Sequence, residues 1–228
     1  MTIKPRAIIF DYDMTLADTL PFFEQAIAEQ LQGKLSEKEV HDIAAEKIYS
    51  RIDVHTHNIK WHLVRMFYTV ARESGCNPVS SLWKVWKSVN FTKREYSSVK
   101  PVEGVLEVIK FLKERGLKIA ILSMSSHKKV TSFLTSHSLQ DSFDLVVTKE
   151  MFRGTKTVKL AGICNHFSFA ADECLMIGDL PGDIISAKEA GLKNVAVATG
   201  AATKELLESV NPDLLLSSVK DLITAMTD

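Results

Sequence analysis

Short aliphatic runs that stop abruptly at a polar residue, and that alternate with helical patterns, are what most restrict the fold of this chain. Ala7-Ile8-Ile9-Phe10 halts at Asp11, and Lys118-Ile119-Ala120-Ile121-Leu122 halts at Ser123. Leu145-Val146-Val147, Leu175-Met176-Ile177, Val195-Ala196-Val197 and Leu214-Leu215-Leu216 are runs of the same kind. Apolar stretches this short, without polar alternation, fit strands covered on both faces. The segments between them carry apolar residues at helical spacing. Val105, Ile109 and Leu112 form one face closed by Gly116; Val130, Phe133 and Leu134 form another, opened by Ser125 or Ser126. Further helices are expected around Leu160 to Phe167, through Ile184, Ala187 and Ala190 up to Gly191, and over Val219 to Met226. Strands alternating with helices in this way predict an α/β fold built on a parallel sheet, with ligands bound beyond the carboxyl ends of the strands.

One long stretch breaks the alternation. Leu20, Phe23, Ile27 and Leu31 mark an apolar helical stripe; Ile59, Leu63, Met66, Phe67 and Val70 mark a second; Leu82, Val85, Trp86 and Val89 mark a third, which places Trp86 in a core. The pattern predicts an all-helical module over residues 18–98, inserted into a core of residues 1–17 and 99–228.

Charge narrows the partners. Lys plus Arg and Asp plus Glu both number 28, so no net field gathers nucleic acid or an anionic membrane surface. Residues Met1 to Phe10 hold an apolar run too short for a signal peptide, and no stretch approaches a membrane span. The three cysteines, Cys76, Cys164 and Cys174, form no CxxC pair, so reduced thiols in a cytoplasmic protein are expected, with Cys164 and Cys174 packed near the sheet.

Three strand ends carry the chemistry. The first delivers Asp11-Tyr12-Asp13-Met14-Thr15, the second Ser123, and the third Gly178-Asp179 with Asp183 four residues on. Carboxylates placed directly after buried strands are costly unless a cation accompanies them. Oxygen-only ligands suit Mg²⁺, which takes few protein carboxylates and keeps waters.

Phe10-Asp11-Tyr12-Asp13-Met14-Thr15-Leu16 resembles the first signature of the haloacid dehalogenase-like hydrolases. Ser123 after Ile121-Leu122 looks like the second, and Gly178-Asp179-Leu180-Pro181-Gly182-Asp183-Ile184 is similar to the fourth. The resemblance, closest to the phosphoglycolate phosphatase-like members, implies a Rossmann-like doubly wound core and a cap of the helical type. It also implies roles for the matching residues. Asp11 would be the nucleophile that forms an aspartyl phosphate, and Asp13 the general acid and base. Mg²⁺ would lie on Asp11, the Asp13 carbonyl, Asp179 and Asp183, with Ser123 on a phosphoryl oxygen. The third signature, a lysine, departs from the family's glycine-lysine-proline pattern. Lys156 is the choice, because it precedes a helix at about the expected distance before Asp179, and Lys159 is the alternative. Met14 stands where the family very often has glycine, and would be strained if that position needed a positive φ.

Thr15 is expected to order the first loop, and Asp18 to cap the first helix of the module. In the polar stretch Arg51 to His62, the residues Arg51, His55 and His57 are candidate substrate contacts; the His55-Thr-His57 spacing lacks the companions of a zinc site. The function expected is hydrolysis of a small phosphorylated metabolite by a monomer or homodimer. The alternatives are phosphomutase-type transfer on a sugar phosphate, and a non-catalytic phosphate-binding or interaction protein on the same fold.

Overall fold

The computed structural model describes residues 5–52, 60–151 and 154–227, the Lys60 side chain excepted. Six strands form one parallel sheet: β1 (Ala7–Phe10), β2 (Lys118–Leu122), β3 (Leu145–Val147), β4 (Cys174–Gly178), β5 (Lys193–Val197) and β6 (Leu214–Leu216), in the order β3-β2-β1-β4-β5-β6. The chain winds from β1 outward to β3, returns to β4 on the other side of β1, and winds outward again. The reversal point, where a doubly wound sheet opens its crevice, therefore lies between β1 and β4.

Side chains alternate across the sheet. Ile8, Phe10, Ile119, Ile121, Leu175 and Ile177 face one core, which α5 (Val105–Glu114) and α6 (His127–Ser136) cover with Val108, Leu112, Val130 and Phe133. Ala7, Ile9, Ala120, Leu122 and Met176 face the other, covered by Leu160 and Ile163 of α7 (Lys156–Phe167), with Cys164 and Cys174 buried beside them. All four residues of β1 are fully buried. Each fully buried branched side chain contributes about 1.5–3 kcal/mol, so the uninterrupted apolar run is the direct sequence trace of a strand with two covered faces. After β4 come α8 (Pro181–Glu189), α9 (Lys204–Ser209) and α10 (Asp221–Ala225).

Between β1 and α5 the described residues form four α-helices: α1 (Thr19–Gln30), α2 (Glu37–Lys47), α3 (Lys60–Glu73) and α4 (Pro78–Arg94). Local signals set their ends. Ser36 and Glu39 exchange bonds in a capping box, at 2.7 Å from the Ser36 amide and 3.3 Å from the Glu39 amide. Asn77 caps α4 by accepting from the Ser80 amide at 2.9 Å, with Pro78 in the first turn. The buried Glu24 carboxylate accepts the Tyr49 hydroxyl at 2.8 Å and pairs with His41 Nδ1 at 3.0 Å, tying α1 to α2 and the turn after it. The two connections to the sheet run side by side. Asp18 N–H donates to Lys100 O at 2.8 Å, Val102 N–H donates to Leu16 O at 2.9 Å, and Ala17 bridges Pro101.

The structure corrects several expectations. Trp86 is not core: it is 57% exposed, Leu82 is 61% exposed, and Trp83 stacks on Trp86 with ring centroids 4.8 Å apart. The face that α4 buries carries Ser81, Ser88 and Thr92 instead. Small polar residues let α1 and α4 approach closely, and Ser88 Oγ satisfies itself on the Ala26 carbonyl at 3.1 Å. Of the expected stripe, Val85 and Val89 do pack against the core, while Leu82 and Trp86 lie outside it. The helix α9 was not anticipated, although Thr203 caps it by accepting from the Leu206 amide. Helix α10 is shorter than Val219 to Met226, and α7 starts at Lys156 rather than near Leu160. Ser126 and Asp18 occupy N-cap positions, but neither side chain makes a capping bond. Among the described residues no helix is long and apolar enough to cross a membrane.

The orientation of α4 is testable by thermal unfolding. Ser88→Leu should lose roughly 1–3 kcal/mol through overpacking, whereas Trp86→Ser should change stability by at most about 0.5 kcal/mol, as a surface substitution. The reverse ranking would place Trp86 in the core.

Candidate active site

Asp11 leaves β1 with its amide bonded to the Ile177 carbonyl at 2.8 Å, which fixes it beside the end of β4. There Gly178 ends the strand, Asp179 follows, and Asp183 lies in the first turn of α8, its Oδ2 accepting from the Leu180 amide at 3.1 Å. Two glycines make room. A Cβ at Gly178 would collide with the Asp183 carboxylate, and one at Gly200 with the Asp179 carboxylate. Lys156, the first residue of α7, reaches across from the other side of the crevice. Its ammonium donates to Asp11 Oδ1 at 2.5 Å and to Asp183 Oδ1.

Three buried carboxylates thus face one ammonium. Burial pushes the Asp11 carboxyl up to about 7, Lys156 opposing and Asp183 and Asp13 adding to the rise. Asp179 is held well above the ordinary carboxylate range by burial and by the Asp183 and Asp11 charges. Burial alone would push the Lys156 ammonium down, but Asp11 and Asp183 hold it above the usual lysine range. Asp179 Oδ1 accepts from Thr15 Oγ1 at 3.1 Å, while its buried Oδ2 has no hydrogen-bond partner among the described residues. One ligand oxygen from each of Asp11, Asp179 and Asp183 lies within 4.8 Å of the others. An unpartnered buried oxygen, excess negative charge and an all-oxygen donor set fit a hard divalent cation such as Mg²⁺.

Asp13 stands apart from this trio. Its Oδ2 accepts from Ser125 Oγ at 2.7 Å and its Oδ1 from the Tyr96 hydroxyl at 3.2 Å. Ser123 is buried at the end of β2, its Oγ accepting from the Ser125 amide at 2.9 Å. Of the two candidate lysines, Lys156 enters the site. Lys159 points away and donates to the carbonyls of Thr148, Lys149 and Met151, holding the loop after β3. Thr15 orders the loop, as its bond to Asp179 shows. Met14 does adopt a positive φ, 61°, with its carbonyl clamped by Thr199 Oγ1 at 2.7 Å. Arg51 sits in an exposed turn and does not line the cavity over Asp11, while His55 and His57 lie outside the described residues. Sequence reading missed Tyr96, Ser125, Thr199 and Gly200. Their partners lie far along the chain, and only Ser125, two residues after Ser123, carried a local hint.

Residues 8–197 match the family model described as haloacid dehalogenase-like hydrolase. The chain belongs to that family. Among its relatives is the phosphoglycolate phosphatase of Synechococcus elongatus, 26% identical over 97% of each chain. The pyrophosphatase PpaX of Halalkalibacterium halodurans is 30% identical over 55% of this chain, and the match spans only 59% of that protein. A crystal structure of a predicted phosphoglycolate phosphatase from Haemophilus somnus superposes with a TM-score of 0.73 at 19% identity, covering 99% of both chains. At that identity it speaks for the fold.

Above the carboxylates lies a cavity of about 200 Å³ whose floor includes Asp11, Asp13, Lys156 and Asp183. Residues of helices α1, α3 and α4 line its far side, so the helical insert partly covers the crevice.

Cation binding can be read without activity. A ligand that binds only the folded chain adds about 2.7 kcal/mol at one hundred times its Kd, or roughly 5–10 °C in melting temperature for a chain of this size. Mg²⁺ should produce such a shift, and Asp179→Asn should abolish it. A group whose folded pKa is raised costs stability once the pH exceeds its unfolded value. The metal-free Asp179→Asn variant should therefore melt above metal-free wild type at pH 8, and a lower melting point would show that Asp179 is not under this stress.

Proposed function

We propose that this chain hydrolyses a small phosphomonoester in two steps through a phosphorylated Asp11, with Mg²⁺ as the resident cation. The observation that supports this reading most is the division of labour between two aspartates separated by one residue. Asp11 faces Lys156 and the acidic trio, whereas Asp13 is turned toward Ser125 and Tyr96 at the edge of the same cavity.

In the first step an Asp11 carboxylate oxygen attacks phosphorus, the bond to the ester oxygen breaks, and Asp13 gives that oxygen its proton. In the second, Asp13 takes a proton from water as the water attacks the aspartyl phosphate, which releases phosphate and restores Asp11. The hydroxyls of Ser125 and Tyr96 hold Asp13 over the cavity. Lys156 neutralises charge that develops on the phosphoryl oxygens, and Ser123 supplies a hydroxyl to one of them. Mg²⁺ held by Asp11, the Asp13 carbonyl, Asp179 and Asp183 would supply further compensation for a dianionic group beside a carboxylate. The kinship with a phosphoglycolate phosphatase supports a small phosphorylated metabolite as substrate. The three cysteines are free and buried, in keeping with a cytoplasmic setting.

Steady-state kinetics with two leaving groups test the roles. Asp11→Asn should abolish turnover on every ester. Asp13→Asn should lose about 10²–10⁴-fold on alkyl phosphates, and markedly less on p-nitrophenyl phosphate, whose leaving group needs little protonation. Equal losses on both esters would remove Asp13 from the proton-transfer role.

A further inference from the structure

Among the described residues, the apolar part of the wall that the helical insert presents to the cavity is Phe23, Leu63, Val64, Phe67 and Val89. The polar groups of the cavity collect at its floor, around Asp11, Lys156 and Asp183. Thr92 is the insert's polar contribution among the described residues, and its hydroxyl already donates to the Val89 carbonyl at 2.9 Å. On the core side Lys129 lines the cavity with its ammonium 4.4 Å from the Tyr96 ring centroid and 5.9 Å from that of Phe23. That position engages a cation with aromatic faces.

A leaving group enters this space from the floor upward, because its ester oxygen must lie at Asp13. Whatever follows that oxygen meets the aliphatic and aromatic wall. A hydroxylated or carboxylated leaving group would surrender its water against Phe23, Leu63, Val64, Phe67 and Val89, none of which offers a side-chain hydrogen bond in return, which is costly. An alkyl or aryl group would gain from the same contact, at roughly fourfold per buried methylene. We propose that the substrates are phosphate monoesters of short alkyl or aryl alcohols, recognised by the apolar wall of α1, α3 and α4. This rests on the reading of Asp11 as phosphoryl acceptor, and it separates the chain's specificity from that of a phosphoglycolate hydrolase.

The test uses the full chain with Mg²⁺ and compares kcat/KM for methyl, propyl, pentyl and benzyl phosphate with 2-phosphoglycolate and glycerol phosphate. The expected result is a rise of about threefold to fourfold per methylene until the space is filled, with benzyl phosphate at least tenfold above phosphoglycolate. Val64 is 36% exposed, so Val64→Lys places a cation on the wall at a position that tolerates it. It should narrow the benzyl-to-phosphoglycolate ratio at least tenfold. The wild-type series decides the question even if the variant misfolds. A flat series, or phosphoglycolate or glycerol phosphate as the best substrate, overturns the proposal. So does a preference for phosphoglycolate that Lys129→Met removes, since Lys129 would then read an anion. If none of the esters is hydrolysed, p-nitrophenyl phosphate included, the phosphatase reading falls as well, and the two failures are thereby told apart.

Discussion

The Lys156 ammonium lies between two buried carboxylates, Asp11 and Asp183, while one oxygen of a third, Asp179, is left without a hydrogen-bond partner among the described residues. Bringing these groups together is unfavourable unless the surrounding structure imposes it, and much of the fold can be understood as doing so. The register of β1 against β4 sets Asp11 beside Asp179, and the missing side chains of Gly178 and Gly200 leave the space two carboxylates occupy. Thr15 fastens the first loop to the third strand end through Asp179. Burial, with the crowding of like charge added to it, raises both Asp11 and Asp179. Such a site is built to accept positive charge, which is why the cation and the phosphoryl chemistry belong to one argument.

The strands could be read directly because burial on both faces leaves no polar alternation, and five-residue runs such as Lys118–Leu122 have no competing helical period. The acidic residues at the strand ends were legible for a related reason: a carboxylate just after a buried run has few bland explanations. What could not be read was geometry set by long-range contact. Asp13 is held by Tyr96 and Ser125, 83 and 112 residues away in sequence, and neither carries a local mark of that role. Lys156 and Lys159 stand three residues apart on one helix, yet only the first faces the crevice while the second secures a loop. Helix α4 defeats a hydropathy reading in part: Val85 and Val89 pack inward as expected, but the helix also buries serines and exposes tryptophans. Close packing of helices rewards small side chains that satisfy themselves on a neighbouring carbonyl, a property on which hydropathy is silent.

Met14 shows how a departure from the common family pattern is accommodated. A non-glycine residue at a positive φ costs of order 1 kcal/mol. Here the side chain is fully buried against the cavity and the backbone is clamped by Thr199, so burial offsets the conformational cost.

The paired connections between sheet and insert bear on how such a chain can change over evolutionary time. Because Asp18 bonds to Lys100 and Val102 to Leu16, both ends of the four-helix segment leave the core through one narrow doorway. The core therefore senses only a fixed gap between two adjacent backbone positions, whatever is strung across it. Closing a longer or shorter excursion over that gap adds little entropic cost, since the penalty grows only with the logarithm of length. An insert of different size or architecture could be spliced in at Ala17 and Pro101 without disturbing the alignment of β1 with β2. Chemistry and selectivity then become separable cassettes, one able to drift while the other stands still.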